Sequence, residues 1–183
     1  ILFQPTEDED AQMIWIDSLI TTDRGYTKLR DLTPLHRLVT TRGYAPVHTL
    51  LLPTNPKWHD APVVVLFLDR SRSSENALVL AHDHPVSVVR PDDTRPVFVR
   101  ADKVKASHNL ITISRYGNSS LIPIRKIEKS TASVGTVYVN DPNDPETLPM
   151  VHNLFASNVS IGFDSVQCVA DEAKYLRNVA CTP

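Results

Sequence analysis

Short apolar runs of strand length, separated by turn-forming residues, are the feature of this sequence that most restricts its fold. Residues 63–68 form a fully apolar, valine-rich run with the length of a buried strand. Comparable runs recur at residues 18–22, 77–80, 86–89, 97–99, 110–113, 121–127, 136–139 and 150–159. Proline, asparagine and aspartate lie between the runs, and these residues favour turns over continued strands. The pattern predicts an all-β domain.

Composition agrees with a loop-rich β protein and excludes several other classes. The chain has 14 prolines, 5 glycines and 2 cysteines, which excludes a disulfide-dense scaffold and a four-cysteine zinc site. A formal charge of −2 excludes a bulk electrostatic binder of nucleic acid. No apolar run approaches the roughly 20 residues that a membrane-spanning helix needs. A chain of 183 residues is about one domain long.

Helical periodicity is apparent only in the last twenty or so residues. Asp164 can cap a helix, and Gln167 follows it at the spacing of a capping box. Apolar residues then recur at helical period at positions 166, 169 or 170, 173, 176 and 180. We predict a hairpin turn at residues 115–118, a loop at 141–145 and an irregular excursion at 51–62. No internal repeat is apparent by inspection.

Several polar positions could carry chemistry, and each also has a structural interpretation. His82 and His84 share a face if the chain is extended there, but no third zinc ligand is set by spacing, and a polar turn between two strands is the more common explanation. Asp69 follows an apolar run and could pair with an arginine or act as a base. His152 and Asn153 form either a strand-edge pair or a site of asparagine attack on its own peptide bond. Phosphate-binding loops and hydrolase elbows are absent from the sequence.

Six segments in order along the chain together resemble the Hint superfamily, which contains hedgehog autoprocessing domains and inteins. The segment at 17–22 resembles the strand after the nucleophile, and 67–70 resembles the aspartate that activates a sterol in hedgehog domains. The segment at 78–85 resembles the Thr-x-x-His block, and 151–157 resembles the intein C-terminal block and the matching hedgehog segment. The six segments are residues 17–22, 27–34, 67–70, 78–85, 98–104 and 151–157.

The resemblance implies a flattened β-fold of long hairpins with one C-terminal helix, and it implies intramolecular acyl transfer. A cysteine attacks the carbonyl before it, and a histidine, here His84, protonates the departing amide nitrogen. A second nucleophile then takes the acyl group. In hedgehog domains this is a sterol activated by an aspartate, here Asp69. In inteins it is a side chain, followed by asparagine cyclisation at the position of Asn153, beside His152.

This sequence departs from the family pattern at the groups that the first step needs. Met13 occupies the cysteine position, or Ala11 if the alignment shifts by two, and neither side chain can form an acyl intermediate. Ala81 occupies the threonine position, and Leu154 follows Asn153 without a nucleophile. Both cysteines, Cys168 and Cys181, lie in the C-terminal tail. We therefore predict a self-cleaving domain that is inactive as written, whether the replacement is natural or introduced.

The predicted organisation is an extended segment at 1–12 that ends an upstream region, a β domain at 13–160 and a helix or tail at 161–183. The upstream polypeptide is the expected substrate, no cofactor is expected, and a sterol is the one candidate acceptor. A degenerate domain that binds a protein or a sterol is the alternative, and a proline-rich barrel or sandwich that binds a protein is the third. The resemblance and two Asn-x-Ser triplets, at Asn118 and Asn158, favour the secretory pathway.

Overall fold

The fold consists almost entirely of antiparallel strands. The computed structural model describes residues 13–40, 43–53, 56–68, 77–113, 119–139, 155–156 and 159–160. The strands are β1 (Ile14–Trp15), β2 (Leu19–Thr22), β3 (Gly25–Lys28), β4 (Arg37–Thr40), β5 (Gly43–Pro46), β6 (Thr49–Leu51), β7 (Ala61–Leu68), β8 (Ala77–Ala81), β9 (Pro85–Val89), β10 (Pro96–Arg100), β11 (Asn109–Ile113), β12 (Ser119–Ala132), β13 (Val134–Tyr138), β14 (Phe155–Ala156) and β15 (Val159–Ser160). The prediction of an all-β architecture is confirmed.

Helical structure within the described residues is limited to single turns. One is a four-residue α-helix, α1 (Pro56–His59), and two are 3₁₀ turns, Leu29–Asp31 and Ala101–Lys103. The predicted C-terminal helix at 161–183 lies outside the described residues, as do segment 1–12 and the predicted loop at 141–145. In the described part of the chain, no helix is both long enough and apolar enough to cross a bilayer.

The strands follow one hydrogen-bonded path, β5-β4-β2-β14-β15-β11-β12-β7-β8-β1-β13-β6. The longest strand, β12, joins two parts of this path, because its first residues pair with β11 and its last nine pair with β7 across an irregularity near Arg125. Strands β3, β9 and β10 extend the sheet beside the path. The central strand pair is β7 with β8, in register from Val63 opposite Ala81 to Phe67 opposite Ala77.

Two apolar clusters lie on opposite faces of β7 and β8, as the period of two in a strand requires. Val64, Leu66 and Leu80 belong to the main core, which also receives side chains from most of the other strands. Val63 and Ala81 lie on the other face and belong to a smaller cluster, which we call the outer cluster. The members of the outer cluster are Met13, Trp58, Ala61, Val63, Ala81 and Val134.

The first half of the domain contains a turn after β1 and a 3₁₀ turn that is hydrogen-bonded to it, and together they form one structural unit. After β1, the N–H of Ser18 donates to the carbonyl of Trp15 at 3.0 Å, which closes a turn before β2 begins. The 3₁₀ turn then docks against this segment, because the N–H of Leu29 donates to Ser18 O and that of Arg30 donates to Ile16 O, each at 3.0 Å.

The second half repeats this unit with different side chains. The N–H of His84 donates to the carbonyl of Ala81 at 3.0 Å before β9 begins. The N–H groups of Ala101 and Asp102 then donate to His84 O and His82 O, each at 2.9 Å. The chain is therefore an internal repeat in which His84 is the counterpart of Ser18, a relationship that inspection of the sequence does not reveal.

A histidine-closed turn completes both halves. The N–H of Thr33 donates to Nδ1 of His36 at 3.0 Å, and the N–H of Lys105 donates to Nδ1 of His108 at 3.1 Å. His108 is buried, whereas His36 is only partly so. In each turn the imidazole accepts a hydrogen bond in addition to the backbone bond that closes the turn, which runs from His36 N–H to Thr33 O at 3.0 Å and from His108 N–H to Lys105 O at 2.9 Å. The imidazole accepts through Nδ1, which therefore carries no proton.

Candidate active site

Strand β1 positions Met13 between two strands that are distant in sequence. Ile14 pairs with Leu80 on one side and with Gly135 on the other. The carbonyl of Met13 accepts the N–H of Ala81 at 2.9 Å, which continues the β1–β8 register by one residue. The two positions that the family pattern assigns to the nucleophile and its threonine are therefore direct cross-strand neighbours.

Both side chains lie in the outer cluster, away from water. Met13 is 2% exposed and Ala81 is also buried. Because direct neighbours on antiparallel strands share a face, Met13 and Ala81 lie on the same side of the sheet as Val63, which pairs with Ala81. The environment at position 13 is apolar, so it would raise the pKa of a thiol placed there.

Trp58 is a buried member of this cluster, and it is not among the site residues predicted from the sequence. It lies on α1, inside the segment predicted as an irregular excursion, and is 7% exposed. Within 51–62, β6 ends at Leu51 and β7 begins at Ala61, with α1 between them. A tryptophan in a proline-rich stretch was the available signal, because a ring of this size is rarely left in solvent without a reason.

His84 lies one backbone hydrogen bond from Ala81 and is 3% exposed. The N–H of His84 donates to Ala81 O, and the N–H of Ala81 donates to Met13 O. Ala81 is therefore joined to each of the other two residues by one backbone hydrogen bond. The structure thus brings together Met13, Ala81 and His84, which the resemblance had placed in one site.

A charged group borders the turn that contains His82. Arg100 donates to Asp102 through Nε at 3.2 Å and through Nη2 at 3.1 Å. This hydrogen bond lowers the pKa of the Asp102 carboxyl, partial burial opposes the shift, and the nearby charges of Lys103 and His82 add to it. Asp102 is therefore an anion at neutral pH, held against the backbone of His82.

The other predicted site residues lie outside the described residues. These are Asp69, which follows the last residue of β7, and the pair His152 and Asn153. Their assignment to the site stays a prediction. Within the described ranges no group of three or more histidine, cysteine or acidic side chains could hold a metal ion, so the His82 and His84 pair gains no third ligand there.

Comparison with known proteins identifies the fold. No protein-family model matches the chain, and no curated protein matches it. Among solved structures, the DnaB intein from Synechocystis sp. PCC 6803 matches with a TM-score of 0.61 at 16% identity, over 85% of this chain and 100% of that one. The DnaX mini intein from Spirulina platensis matches with a TM-score of 0.59 at 14% identity, over 82% of this chain and 98% of that one.

An intein-like domain from Clostridium thermocellum is similar to the same extent. It matches with a TM-score of 0.56 at 14% identity, over 84% of this chain and 99% of that one. The chain therefore has the Hint fold shared by inteins and intein-like domains, and the resemblance stated from the sequence is confirmed at the level of fold. The more specific likeness to hedgehog domains stays a prediction.

Proposed function

We propose that this chain is a Hint-type autoprocessing domain that does not cleave itself, because Met13 occupies the place of the nucleophile. The observation that carries the proposal is the hydrogen bond between Met13 O and Ala81 N at 2.9 Å inside the outer cluster. It supports a site whose backbone arrangement is retained while its reacting groups are missing. The upstream polypeptide, which ends at Gln12, is the substrate of the reaction that the domain would otherwise perform.

The chemistry of the first step explains why a methionine stops it. A thiolate at position 13 adds to the carbonyl carbon of Gln12, and the C–N bond to residue 13 then breaks as the amide nitrogen takes a proton from a neighbouring acid. The product is a thioester, and any thiol or water can complete the transfer. A thioether has no proton to lose and cannot form a neutral acyl product, so the step does not begin.

The second group that the family mechanism uses and this chain lacks is a threonine, whose position is occupied by Ala81. In the family mechanism the threonine at this position helps to hold the scissile peptide while the histidine protonates the leaving nitrogen. A methyl group offers no hydrogen bond. His84 remains beside Ala81 and is the proton donor in our proposal. Restoring the reaction therefore requires two substitutions, Met13→Cys for the nucleophile and Ala81→Thr for the hydrogen bond.

The test is a cleavage assay on the full chain fused at Ile1 to a folded reporter protein. We expect the unsubstituted chain and Ala81→Thr alone to stay intact in dithiothreitol, as seen by intact-mass spectrometry. Met13→Cys with Ala81→Thr should release the reporter with the mass expected for cleavage after Gln12. Adding His84→Ala to that pair should abolish release.

Two results would contradict the proposal. Release from the unsubstituted chain would show that some other group starts the reaction. A doubly substituted chain that keeps its circular dichroism spectrum but releases nothing would show that this site was never arranged for acyl transfer.

The second candidate is a domain retained as a binding module. The observation that favours it is that apolar residues, Met13 and Ala81, occupy both positions and belong to the same buried cluster as Trp58, since a single altered residue would not account for both. A sterol is one ligand that the hedgehog likeness suggests. Titration of the intact chain with a fluorescent sterol checks this, and a lack of saturable binding removes the sterol from consideration.

A further inference from the structure

A side chain on β13 faces Met13 from the side opposite Ala81. Gly135 of β13 pairs with Ile14 in antiparallel register. The next residue along β13, Thr136, therefore lies opposite Met13, as Ala81 does on β8. Position 13 thus has a threonine as a cross-strand neighbour, although on the other side from the position where the family has one.

The hydrogen-bonding pattern shows how close these two side chains lie. The N–H of Ile16 donates to the carbonyl of Ser133 at 3.1 Å, and bonded pairs recur at every second residue of an antiparallel ladder. Met13 and Thr136 are therefore a non-bonded pair, and the carbonyl of Met13 accordingly accepts from Ala81 on the other strand. Non-bonded pairs have the closer side chains, with Cβ atoms about 4.5–5.5 Å apart.

Thr136 is a buried polar residue on the face that carries the outer cluster. Strand β13 alternates between faces, since Val134 belongs to the outer cluster and Val137 belongs to the main core. Thr136 therefore shares the face of Val134, and it is 3% exposed. Its hydroxyl is held beside position 13 at the edge of an apolar cluster, where burying a polar group is costly unless it forms a hydrogen bond.

The side chain at position 13 decides what this hydroxyl can do. The thioether sulfur of Met13 is a weak acceptor, whereas a thiolate would accept a charge-assisted hydrogen bond, which is stronger than a neutral one. The proton of such a thiol passes to solvent, and the hydroxyl then stabilises the anion that remains. This hydrogen bond opposes the effect of the apolar surroundings, which favour the neutral thiol.

We propose that Thr136 belongs to the candidate site and that its hydroxyl is the donor that stabilises a thiolate at position 13. The proposal rests on the proposed function, because it concerns the nucleophile of that reaction. It divides two tasks between two strands. A threonine at position 81 on β8 holds the scissile peptide, whereas Thr136 on β13 makes the nucleophile more acidic.

The acidity of a thiol at position 13 tests the proposal without requiring cleavage. In the full chain, Cys168→Ser and Cys181→Ser leave the cysteine introduced by Met13→Cys as the only one. Carbon-13 labelling of cysteine then lets NMR follow the ionisation of this single thiol as the pH is raised. Adding Thr136→Val, which replaces the hydroxyl by a methyl group, should make the thiol about tenfold less acidic. Thr136→Ser should keep the original acidity, because it keeps the hydroxyl.

The matched control is Thr49→Val, which removes another buried hydroxyl. Thr49 lies on β6 opposite Tyr138, two residues further along β13 than Thr136. This substitution should leave the acidity unchanged. Titratable groups such as His84 are the same in all these chains, so a difference reports the hydroxyl. Equal acidity with and without Thr136→Val would overturn the proposal, as would the same decrease from Thr49→Val.

A cleavage measurement separates this proposal from the proposed function. In the reporter fusion that carries Met13→Cys and Ala81→Thr, adding Thr136→Val should move the pH profile of release to higher pH, because the thiol ionises later. An unshifted profile would contradict the role of Thr136 in the reaction. A fusion that releases nothing would contradict the proposed function alone, since the acidity of the thiol is measured without release.

Discussion

Gly135 allows β6 and β1 to lie on either side of β13, and Gly135→Ala tests how tightly these strands are packed. Gly135 pairs with Ile14, next to the candidate site. A Cβ atom added there would lie 2.4 Å from the carbonyl oxygen of Leu51 and 3.4 Å from Cγ2 of Ile16. The first distance is far inside van der Waals contact, and the obstacle is backbone, which cannot rotate away as a side chain can.

The cost follows from what must move. Bringing the Cβ atom to an ordinary contact requires β6 to withdraw from β13 by about 1 Å, which strains the ladder bonds beside the pair Thr136 and Leu51. Overpacking of this kind costs about 1–3 kcal/mol, and each weakened hydrogen bond costs about 1 kcal/mol. Alanine also lowers the conformational entropy of the unfolded chain, which offsets this cost by about 0.4–1 kcal/mol. We expect a net destabilisation of about 2–3 kcal/mol.

Urea unfolding followed by circular dichroism measures this free energy at equilibrium. Gly25→Ala is the control, because Gly25 has a φ of 98° and no atom within 4 Å of an added Cβ. Its cost of about 1–2 kcal/mol arises from the backbone alone, so the combined emission of Trp15 and Trp58 should be unchanged. Gly135→Ala should shift that emission. A Gly135→Ala chain within about 0.5 kcal/mol of the unsubstituted one would refute the packing argument.

Two further predictions concern buried rings. Trp58→Ala should cost about 3–5 kcal/mol in urea unfolding because it leaves a cavity in the outer cluster, whereas Trp58→Phe should cost less than half as much. Equal costs would contradict the packing of the ring in that cluster. Burial first, and then the charges of Lys105 and Arg90, lower the pKa of His108. The imidazole of His108 therefore binds a proton less readily in the folded chain than in the unfolded chain. Its contribution to the free energy of unfolding is fully present above about pH 6.5 and is lost as the pH drops through the folded pKa. His108→Asn should flatten that part of the stability profile, and an unchanged slope would exclude His108 as its source.

The sequence predicted the buried strands well because their signal is local. Residues 63–68 are apolar on both faces since β7 lies between the main core and the outer cluster, and the run is visible without any knowledge of pairing. The last part of β12, by contrast, is polar and exposed at Glu128, Lys129, Ser130 and Thr131. It is a strand because β7 lies beside it, and that pairing joins residues about sixty positions apart.

The candidate site could be predicted only in part for the same reason. Met13, Ala81 and His84 were singled out by resemblance, and their proximity depends on β1 pairing with β8 across more than sixty residues. Trp58 is far in sequence from Met13, Ala81 and His84. The internal repeat is not visible in the sequence because backbone hydrogen bonds maintain it. Over the aligned stretches 27–40 and 99–112, only His36, Leu38 and Thr40 have identical counterparts.

The two ends of the strand path, β5 and β6, are neighbours in sequence. Val47 and His48 alone connect them, and both are fixed: Val47 N–H donates to His36 O at 3.3 Å, and His48 N–H donates to Tyr138 O at 2.8 Å. Twelve hydrogen-bonded strands and one short peptide link therefore make a closed circuit. A slip of one residue between two strands of the circuit has to be compensated elsewhere in it, by a bulge such as the irregularity near Arg125 or at this two-residue link. Register is thus enforced around the whole circuit and not strand by strand.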